Sequence, residues 1–329
     1  MPEPTLQDAQ DAIVGVEHTG ICGTDVHAMQ GHLPGVPAGT VLGHEFVGTV
    51  LATGGAVTSI NVGDRVVGTD FTACGNCWHC RRHEHWHCPR RRFLGTGTSF
   101  GPELSGAQAE QVRVPFADIC LAVLPRGLDS ATAVLLCDNF PTGFAAAKKA
   151  CVAPGDVVAV VGGGMVGQLA ALAAQHHGAS VVVVSDPVEA RQSAARSTGN
   201  LATVPERLVP TLHELTAGRG ADVVVEAVGG ATGLDAALLA CRPGGTVASV
   251  SAHVQKTWSF PLADAFAREI TVQMVIGDPL RDRDSMLALA TSGLLGPAHD
   301  LMRTADLTSA VDAYSDAAHS RYLKIVLTV

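Results

Sequence analysis

The chain has 329 residues, of which 47% are hydrophobic and 16% charged, and its formal net charge is −9. This apolar fraction excludes a disordered chain, and the length is typical of two domains. The negative charge argues against a nucleic-acid partner, so a small molecule is the expected ligand.

The first residues contain neither a basic segment nor an apolar leader, and we therefore predict a cytoplasmic protein. The uncharged stretch 157–174 has the length of a membrane span. Three consecutive glycines, Gly162 to Gly164, divide it into a strand, a turn and a helix. No membrane partner is expected.

The first part of the chain, to about Leu136, contains short β runs separated by Gly and Pro. These runs lie at 12–17, 46–51, 65–67 and 110–114. Their spacing predicts a compact, irregular β domain.

From Asp156 the pattern changes to apolar runs that alternate with amphipathic helices. The runs lie at 157–161, 180–185, 221–226, 246–251 and 270–276. Near-continuous apolar runs are typical of parallel strands covered on both faces, and they predict an α/β fold with a doubly wound sheet.

Two further helices are predicted at 282–292 and 307–319, and a last strand at 322–329 that returns to the first domain. The sequence therefore predicts a first domain at 1–140, a second at 141–276 and a C-terminal segment at 277–329.

A glycine fingerprint marks the start of the second domain. Gly162-x-Gly164-x-x-Gly167 follows a predicted strand and opens a predicted helix, and Asp186 ends the next strand. Such glycines allow a tight turn and close approach to a pyrophosphate, while the acid accepts hydrogen bonds from ribose hydroxyls. NAD is therefore predicted over NADP, although Arg191 could lie along the ribose edge.

Four of the nine cysteines fall within 15 residues. Four thiolates match a closed tetrahedral zinc site that orders a loop, and an iron–sulfur cluster is the alternative. The interleaved histidines are predicted to be a solvated loop face, and Cys120, Cys151 and Cys241 to be small buried residues. The predicted structural ligands are Cys74, Cys77, Cys80 and Cys88.

A second set of possible ligands is dispersed: Cys22, His44 with Glu45, and Asp138 beside Cys137. Spacing alone does not join them, since a lone Cys or His is more often a packed core residue than a ligand.

Cys22, His44 and Glu45 lie in two local sequences, Gly43-His44-Glu45-x2-Gly48-x5-Gly54-x2-Val57 and Cys22-Gly23-Thr24-Asp25-Val26-His27. Both resemble the zinc-dependent medium-chain alcohol dehydrogenases. The first matches the zinc signature of that family, and the second resembles the segment that carries the first catalytic ligand. The cysteine loop and the glycine fingerprint follow in the order of that family.

The resemblance implies a GroES-like first domain, a Rossmann second domain and two zinc ions per chain. The catalytic zinc would be held by Cys22, His44 and Asp138. The sequence Asp-x-x-Pro-Thr that begins at Asp138 is similar to the branch of glutathione-independent formaldehyde dehydrogenases. Cys137, one residue out of register, is the reserve ligand.

The resemblance also implies roles around that zinc. Asp25 would orient the ring of His44, and Glu45 would lie close enough to exchange with water on the metal. Thr24 would accept the alcohol proton and pass it through the nicotinamide ribose to His27. Thr142 would position the nicotinamide.

The implied activity is NAD-linked interconversion of an alcohol with an aldehyde or ketone, in a homo-oligomer, dimer or tetramer. A polyol dehydrogenase or an aldehyde-dismuting member is an alternative, as is a catalytically inert zinc- and nucleotide-binding protein. The chain begins where the family has completed an opening β-hairpin, which suggests a start codon placed too late. Lys324 is expected to lie away from the zinc chemistry.

Overall fold

Two compact units make up the chain, for which the computed structural model describes residues 3–253 and 255–329. One unit comprises Met1–Pro141 and Asp278–Val329, and the other comprises Thr142–Gly277.

The strands and helices are numbered in chain order over the described residues. The strands are β1 (Ala12–Ile21), β2 (Phe46–Thr53), β3 (Arg65–Gly68), β4 (Gln111–Val114), β5 (Leu121–Val123), β6 (Val157–Val161), β7 (Val181–Ser185), β8 (Leu201–Thr203), β9 (Ala221–Glu226), β10 (Cys241–Ser249), β11 (Thr271–Met274), β12 (Met302–Asp306) and β13 (Lys324–Thr328). The helices are α1 (Gly23–Met29), α2 (Ala117–Cys120), α3 (Ser130–Val134), α4 (Asn139–Lys149), α5 (Met165–His176), α6 (Glu189–Ser197), α7 (Leu208–Thr216), α8 (Gly230–Ala240), α9 (Leu262–Ala267), α10 (Arg283–Thr291), α11 (Gly296–His299) and α12 (Ala310–Ala318).

The first unit is built on a sheet in the order β12-β13-β1-β2-β3-β5, with β4 also paired to β1. Alternating apolar residues of β1, β2 and β4, including Val14, Phe46 and Val112, form its core. The last strand of the chain, β13, pairs antiparallel with β1. The C-terminal segment therefore belongs to the first unit.

The second unit is built on a parallel sheet in the order β11-β10-β9-β6-β7-β8. All five residues of β6 are buried, as expected of a central strand with both faces covered. Strand β6 lies between β7 and β9, so the strand order reverses at β6. Doubly wound sheets bind ligands outside the carboxyl end of a strand at such a point.

The predicted architecture, an irregular β domain with a doubly wound parallel sheet, is confirmed. The runs predicted at 157–161 and 221–226 match β6 and β9 at both ends. Cys120 and Cys241 are buried as predicted, but Cys151 is exposed, because it follows α4 in a left-handed turn with φ of 57°. Among the described helices, none has the length and apolar character needed to cross a membrane.

Candidate functional site

Helix α1 presents the first of the dispersed ligands. Cys22 directly precedes the helix, and its backbone N–H donates to Oδ2 of Asp25, in the first turn, at 2.9 Å. The other carboxylate oxygen of Asp25 accepts from the N–H of Gly43 at 3.2 Å and lies 3.3 Å from Nδ1 of His44. Asp25 therefore connects the Cys22 segment to the backbone beside His44, and its carboxylate lies next to the imidazole.

His44 lies two residues before β2 and is completely buried. Neither of its ring nitrogens makes a hydrogen bond of good geometry. Its Nε2 atom lies 3.4 Å from Oδ2 of Asp138. A buried imidazole nitrogen with neighbouring anionic atoms but no hydrogen bond is the arrangement expected of a metal ligand.

The third element is the turn that precedes α4. Here Oδ2 of Asp138 lies 3.5 Å from Sγ of Cys22. The neighbouring Cys137 points elsewhere, because its thiol donates to the carbonyl of Phe46 at 3.3 Å and accepts from the N–H of the same residue at 3.2 Å. Among the described residues, the group of side chains that could hold a metal ion here contains Asp138 and not the reserve candidate Cys137.

The spacing of these donors fits a zinc ion. Ligand atoms of Cys22, His44, Glu45 and Asp138 all lie within 4.8 Å of one another. Zinc bonds of about 2.0–2.3 Å at tetrahedral angles separate ligand atoms by about 3.3–3.8 Å. The distances of 3.4 and 3.5 Å to Asp138 fall in that range. A sulfur, an imidazole and a carboxylate are also ligand types that zinc accepts.

The electrostatics of the group favour a positive charge between its members. Burial and the charge of Asp138 raise the pKa of Cys22. Burial alone would lower the pKa of His44, but Asp25 and Asp138 raise it well above its usual range. Burial would raise the pKa of Asp138, yet contact with His44 lowers it. A cation at this position would therefore offset the two acidic groups.

Glu45 is the fourth member of the group, and it is fully buried. One of its carboxylate oxygens forms an ion pair with the ammonium of Lys324 in β13. The other accepts from Nδ2 of Asn139 at 3.0 Å, and the same nitrogen lies 3.3 Å from Oδ2 of Asp138. The expectation that Lys324 lies away from the zinc chemistry is therefore wrong, because β13 pairs with β1 and brings its first residue to Glu45.

The four clustered cysteines converge as the sequence predicts. Their sulfur atoms lie within 4.8 Å of one another, with 3.4 Å between Cys77 and Cys80 and 3.6 Å between Cys74 and Cys88. Four zinc–thiolate bonds of about 2.3 Å require sulfur separations near 3.8 Å. The thiols are not joined by disulfides. A tetrahedral metal ion fits this group, and no interleaved histidine belongs to it.

The glycine fingerprint forms the predicted turn between β6 and α5. Gly162 has φ of 101°, and a Cβ atom on Gly167 would lie 1.9 Å from the carbonyl oxygen of Gly162. Only glycine fits at both positions, so the helix can start close against the strand end. Gly164 precedes α5 and borders open space.

Asp186 follows β7 and is 2% exposed. Its Oδ2 accepts from the N–H of Gly163 at 2.9 Å and from Arg191 at 3.1 Å, while Oδ1 accepts from the N–H of Val188 at 2.9 Å. A carboxylate has about four acceptor positions, so one remains for a ligand. Asp186 therefore also holds the glycine turn and neutralises Arg191, which the sequence did not predict.

The remaining predicted residues lie in or beside α1 and α4. Thr24 is half-buried, and its hydroxyl lies 4.0 Å from Sγ of Cys22. His27 is half-buried, with Nδ1 at 3.4 Å from Nδ1 of His32. Burial and then His32 lower the pKa of His27. Thr142 is buried in α4.

Comparison with known proteins identifies the family of the chain. Residues 8–125 match the alcohol dehydrogenase GroES-like domain, and residues 165–292 match the zinc-binding dehydrogenase family. A protein of Mycobacterium tuberculosis, named a probable zinc-binding alcohol dehydrogenase, is 36% identical over 96% of this chain and 81% of its own length. The chain belongs to the zinc-dependent medium-chain alcohol dehydrogenases.

Two solved members of this alcohol dehydrogenase family extend the comparison. Alcohol dehydrogenase TADH from Thermus sp. ATN1 has a TM-score of 0.94 and 38% identity, covering 100% of this chain and 95% of its own. A zinc-binding dehydrogenase from Sinorhizobium meliloti 1021, bound to NADP, has a TM-score of 0.86 and 26% identity, covering 100% and 94%.

Two residues that contact the candidate site were missed by the sequence analysis. Asn139 directly follows Asp138, and Lys324 is a lone cation within an apolar strand. An amide next to an acid, or a single lysine in an apolar strand, is a weak signal by itself. Neither shows which buried acid the fold will place beside it. A cation inside an apolar run nonetheless indicates a buried anionic partner.

Proposed function

We propose that this protein is a zinc- and NAD-dependent alcohol dehydrogenase that interconverts an alcohol with an aldehyde or ketone. The observation that supports it most directly is the buried convergence of Cys22, His44 and Asp138, with donor spacings suited to zinc. Membership of the alcohol dehydrogenase family supports the reaction class.

Cys22, His44 and Asp138 would hold the catalytic zinc, and the four-cysteine loop would hold a second, structural zinc. At the first site zinc supplies a Lewis acid that lowers the pKa of an alcohol. A thiolate and a carboxylate cancel the charge of the ion, so the site can be buried without a large penalty. Glu45, paired with Lys324, adds no net charge to this balance.

Thr24 and His27 would move the proton away from the alcohol. The Thr24 hydroxyl lies beside Cys22, and a hydroxyl can accept and donate in the same step. Because burial and His32 lower the pKa of His27, its imidazole releases a proton readily near neutral pH. The passage of the proton between them through the nicotinamide ribose is part of the proposal.

The glycine turn would hold the pyrophosphate of NAD, with Asp186 accepting from the ribose and Arg191 beside it. Thr142 would position the nicotinamide. A buried carboxylate at Asp186 repels a ribose phosphate, which favours NAD, although Arg191 reduces that charge. NAD is the proposed cofactor, and the NADP-bound relative makes NADP the necessary comparison.

Asp186→Ala should raise KM for NAD by roughly 10- to 100-fold, since a charge-assisted hydrogen bond contributes about 1.5–3 kcal/mol. KM for NADP should change less, so the ratio of kcat/KM with NAD to kcat/KM with NADP should fall. Asp186→Asn keeps an acceptor for the N–H of Gly163 and controls for collapse of the turn. An unchanged ratio of NAD to NADP efficiency in both variants would refute the ribose assignment.

The proposed function is tested by metal analysis together with an alcohol panel on the full chain. Two zinc ions per chain and reduction of NAD by primary alcohols, secondary alcohols or formaldehyde are expected. If a folded, zinc-loaded sample reduces NAD with none of these substrates, the result would instead favour the inert zinc- and nucleotide-binding protein.

The same panel separates the alternatives within the family. Turnover of formaldehyde by protein that retains NAD through purification would favour an aldehyde-dismuting enzyme of the formaldehyde dehydrogenase-like branch. Exclusive turnover of sugar alcohols would favour a polyol dehydrogenase.

A homo-oligomer, dimer or tetramer, is also proposed. In the described part of the chain β11 pairs on one side only, with β10. Beside this edge Phe266 is 82% exposed, Leu262 71% and Met274 57%. An open strand edge flanked by apolar side chains is typical of a surface covered by a second copy. A monomeric mass in solution would contradict it.

A further inference from the structure

The C-terminal end of α1 brings a second histidine to His27. Gly31 follows the helix with φ of 74°. Its N–H donates to the carbonyl of Ala28 at 3.0 Å, and the N–H of His32 donates to the carbonyl of His27 at 2.9 Å. These two bonds form a Schellman motif, in which a left-handed glycine ends the helix and brings together two residues that are five apart. The two residues brought together are His27 and His32.

The two imidazoles are in direct contact. Their Nδ1 atoms lie 3.4 Å apart, and their ring centroids lie 5.7 Å apart at an angle of 47°. A neutral imidazole carries a proton on one nitrogen and a lone pair on the other, so one Nδ1 of this pair donates and the other accepts. A proton can therefore pass from one ring to the other along this contact.

The two rings differ in their exposure to water. His27 is half-buried, whereas His32 is exposed. Thr24, which is proposed to receive the alcohol proton, lies three positions before His27 in α1, and residues with this spacing are neighbours on a helix surface. Thr24, His27 and His32 therefore follow one another along the helix, and the last of them is the one that reaches the solvent.

The surroundings add no competing charge in the part of the chain that the structure describes, where neither ring lies within ion-pair distance of a carboxylate. Helix α12 packs against α1 through an apolar cluster that includes Val26 and Tyr314, and the Tyr314 hydroxyl donates to Gln108 at 2.7 Å. Burial, followed by the positive charge of His32, lowers the pKa of His27. The basic partner of a protonated His27 is therefore His32.

We propose that His32 is the second histidine of the proton path, accepting at Nδ1 the proton that His27 releases and passing it from Nε2 to water. The inference rests on the proposed alcohol oxidation, in which the alcohol proton reaches His27. An imidazolium carries a proton on both nitrogens, so the proton enters His27 at Nε2 and leaves it at Nδ1. One proton leaves the alcohol oxygen and one reaches water, and both rings end neutral. His32 is a positioning residue, since it acts through His27.

The first test compares kcat/KM of zinc-loaded, full-length variants for the best alcohol of the panel. His32→Asn should lower kcat/KM by about tenfold at about pH 7, less than the roughly 10²- to 10⁴-fold contribution of a base that contacts the reacting group. Asn keeps a side-chain acceptor but cannot take up the proton. Adding His32→Asn to His27→Asn should change kcat/KM by less than about twofold, because the second histidine acts through the first.

The matched control is Gln30→Ala, which changes an exposed residue in the same turn. Its kcat/KM should equal that of the wild type. The Schellman bonds are made by the backbone, so His32→Asn and Gln30→Ala should both keep the melting temperature of the wild type.

Two readouts report on the proton itself. In the wild type kcat/KM should fall as the pH drops through the titration of both rings, because a protonated His32 cannot accept. His32→Asn should lose one of these two groups from the acid limb of the pH profile. An NMR titration of the histidine rings, which does not depend on turnover, should show that the pKa of His27 rises in His32→Asn, because a repelling charge is removed.

The outcomes separate this inference from the proposed function. Unchanged kcat/KM in His32→Asn, or an equal loss when the same change is made in His27→Asn, overturns the role of His32. So does an unchanged His27 pKa, or a melting temperature that falls in His32→Asn and not in Gln30→Ala. If the wild type oxidises no alcohol, the proposed function fails, while the NMR titration still decides whether the two rings are coupled.

Discussion

Asp138→Ala should lower kcat/KM at least about 10³-fold, which corresponds to about 4 kcal/mol of transition-state stabilisation. The carboxylate lies 3.5 Å from Cys22 and 3.4 Å from His44, so its removal leaves two protein ligands at the site. Zinc should fall from two ions to one per chain, as measured by metal analysis beside steady-state kinetics. Asp138→Asn keeps the shape of the side chain but not its charge. Its kcat/KM should lie between that of the wild type and that of Asp138→Ala.

Cys137→Ala is the matched control, because it changes the adjacent residue. The Cys137 thiol bonds to the backbone of Phe46 and not to the metal-binding group. This variant should keep both zinc ions and most of the turnover, with some loss of stability from a small cavity. Loss of zinc from Cys137→Ala, together with full activity in Asp138→Ala, would mean that Cys137 and not Asp138 is the third zinc ligand.

Cys77→Ala should release the structural zinc and destabilise the first unit by about 4 kcal/mol, the range associated with loss of a metal site. The loop between Cys74 and Cys88 contains only two short 3₁₀ turns, so metal bonds supply much of its order. Thermal unfolding and zinc content give the readout. The folded fraction of Cys77→Ala should retain catalytic activity, whereas Asp138→Ala should lose it.

His87→Ala is the control within the same loop. His87 is exposed and does not belong to the group of four sulfur atoms. Its variant should keep two zinc ions and an unchanged melting temperature. Zinc loss from His87→Ala, or a Cys77→Ala protein that retains both ions, would contradict a four-thiolate site. Iron in place of zinc would favour the cluster alternative.

The two groups of possible metal ligands differ in how far their spacing in the sequence predicts that they meet. Cys74, Cys77, Cys80 and Cys88 lie in one short loop, where backbone geometry limits how the thiols can meet. The dispersed ligands were joined only through a family resemblance, since nothing in their spacing brings Cys22 to Asp138. The structure brings Cys22, His44 and Asp138 together, and it directs the Cys137 thiol to the backbone of Phe46 instead.

Long-range partners set the remaining properties of the site. Lys324 and Glu45 are 279 residues apart, and they meet because β13 pairs with β1. Asn139 bridges two acids that the sequence does not relate. Asp186 was predicted as a ribose acceptor, whereas its contacts with Gly163 and Arg191 depend on the packing of β7 beside β6.

By itself the sequence determined the class of fold, the glycine turn after β6 and the four-thiolate loop, because each depends on residues close together in the chain. Only the tertiary structure decided that Asp138 rather than Cys137 faces His44, and that Lys324 neutralises Glu45. These outcomes depend on which buried charges the packed strands place side by side, and the energy of a buried charge is set by neighbours that are distant in sequence.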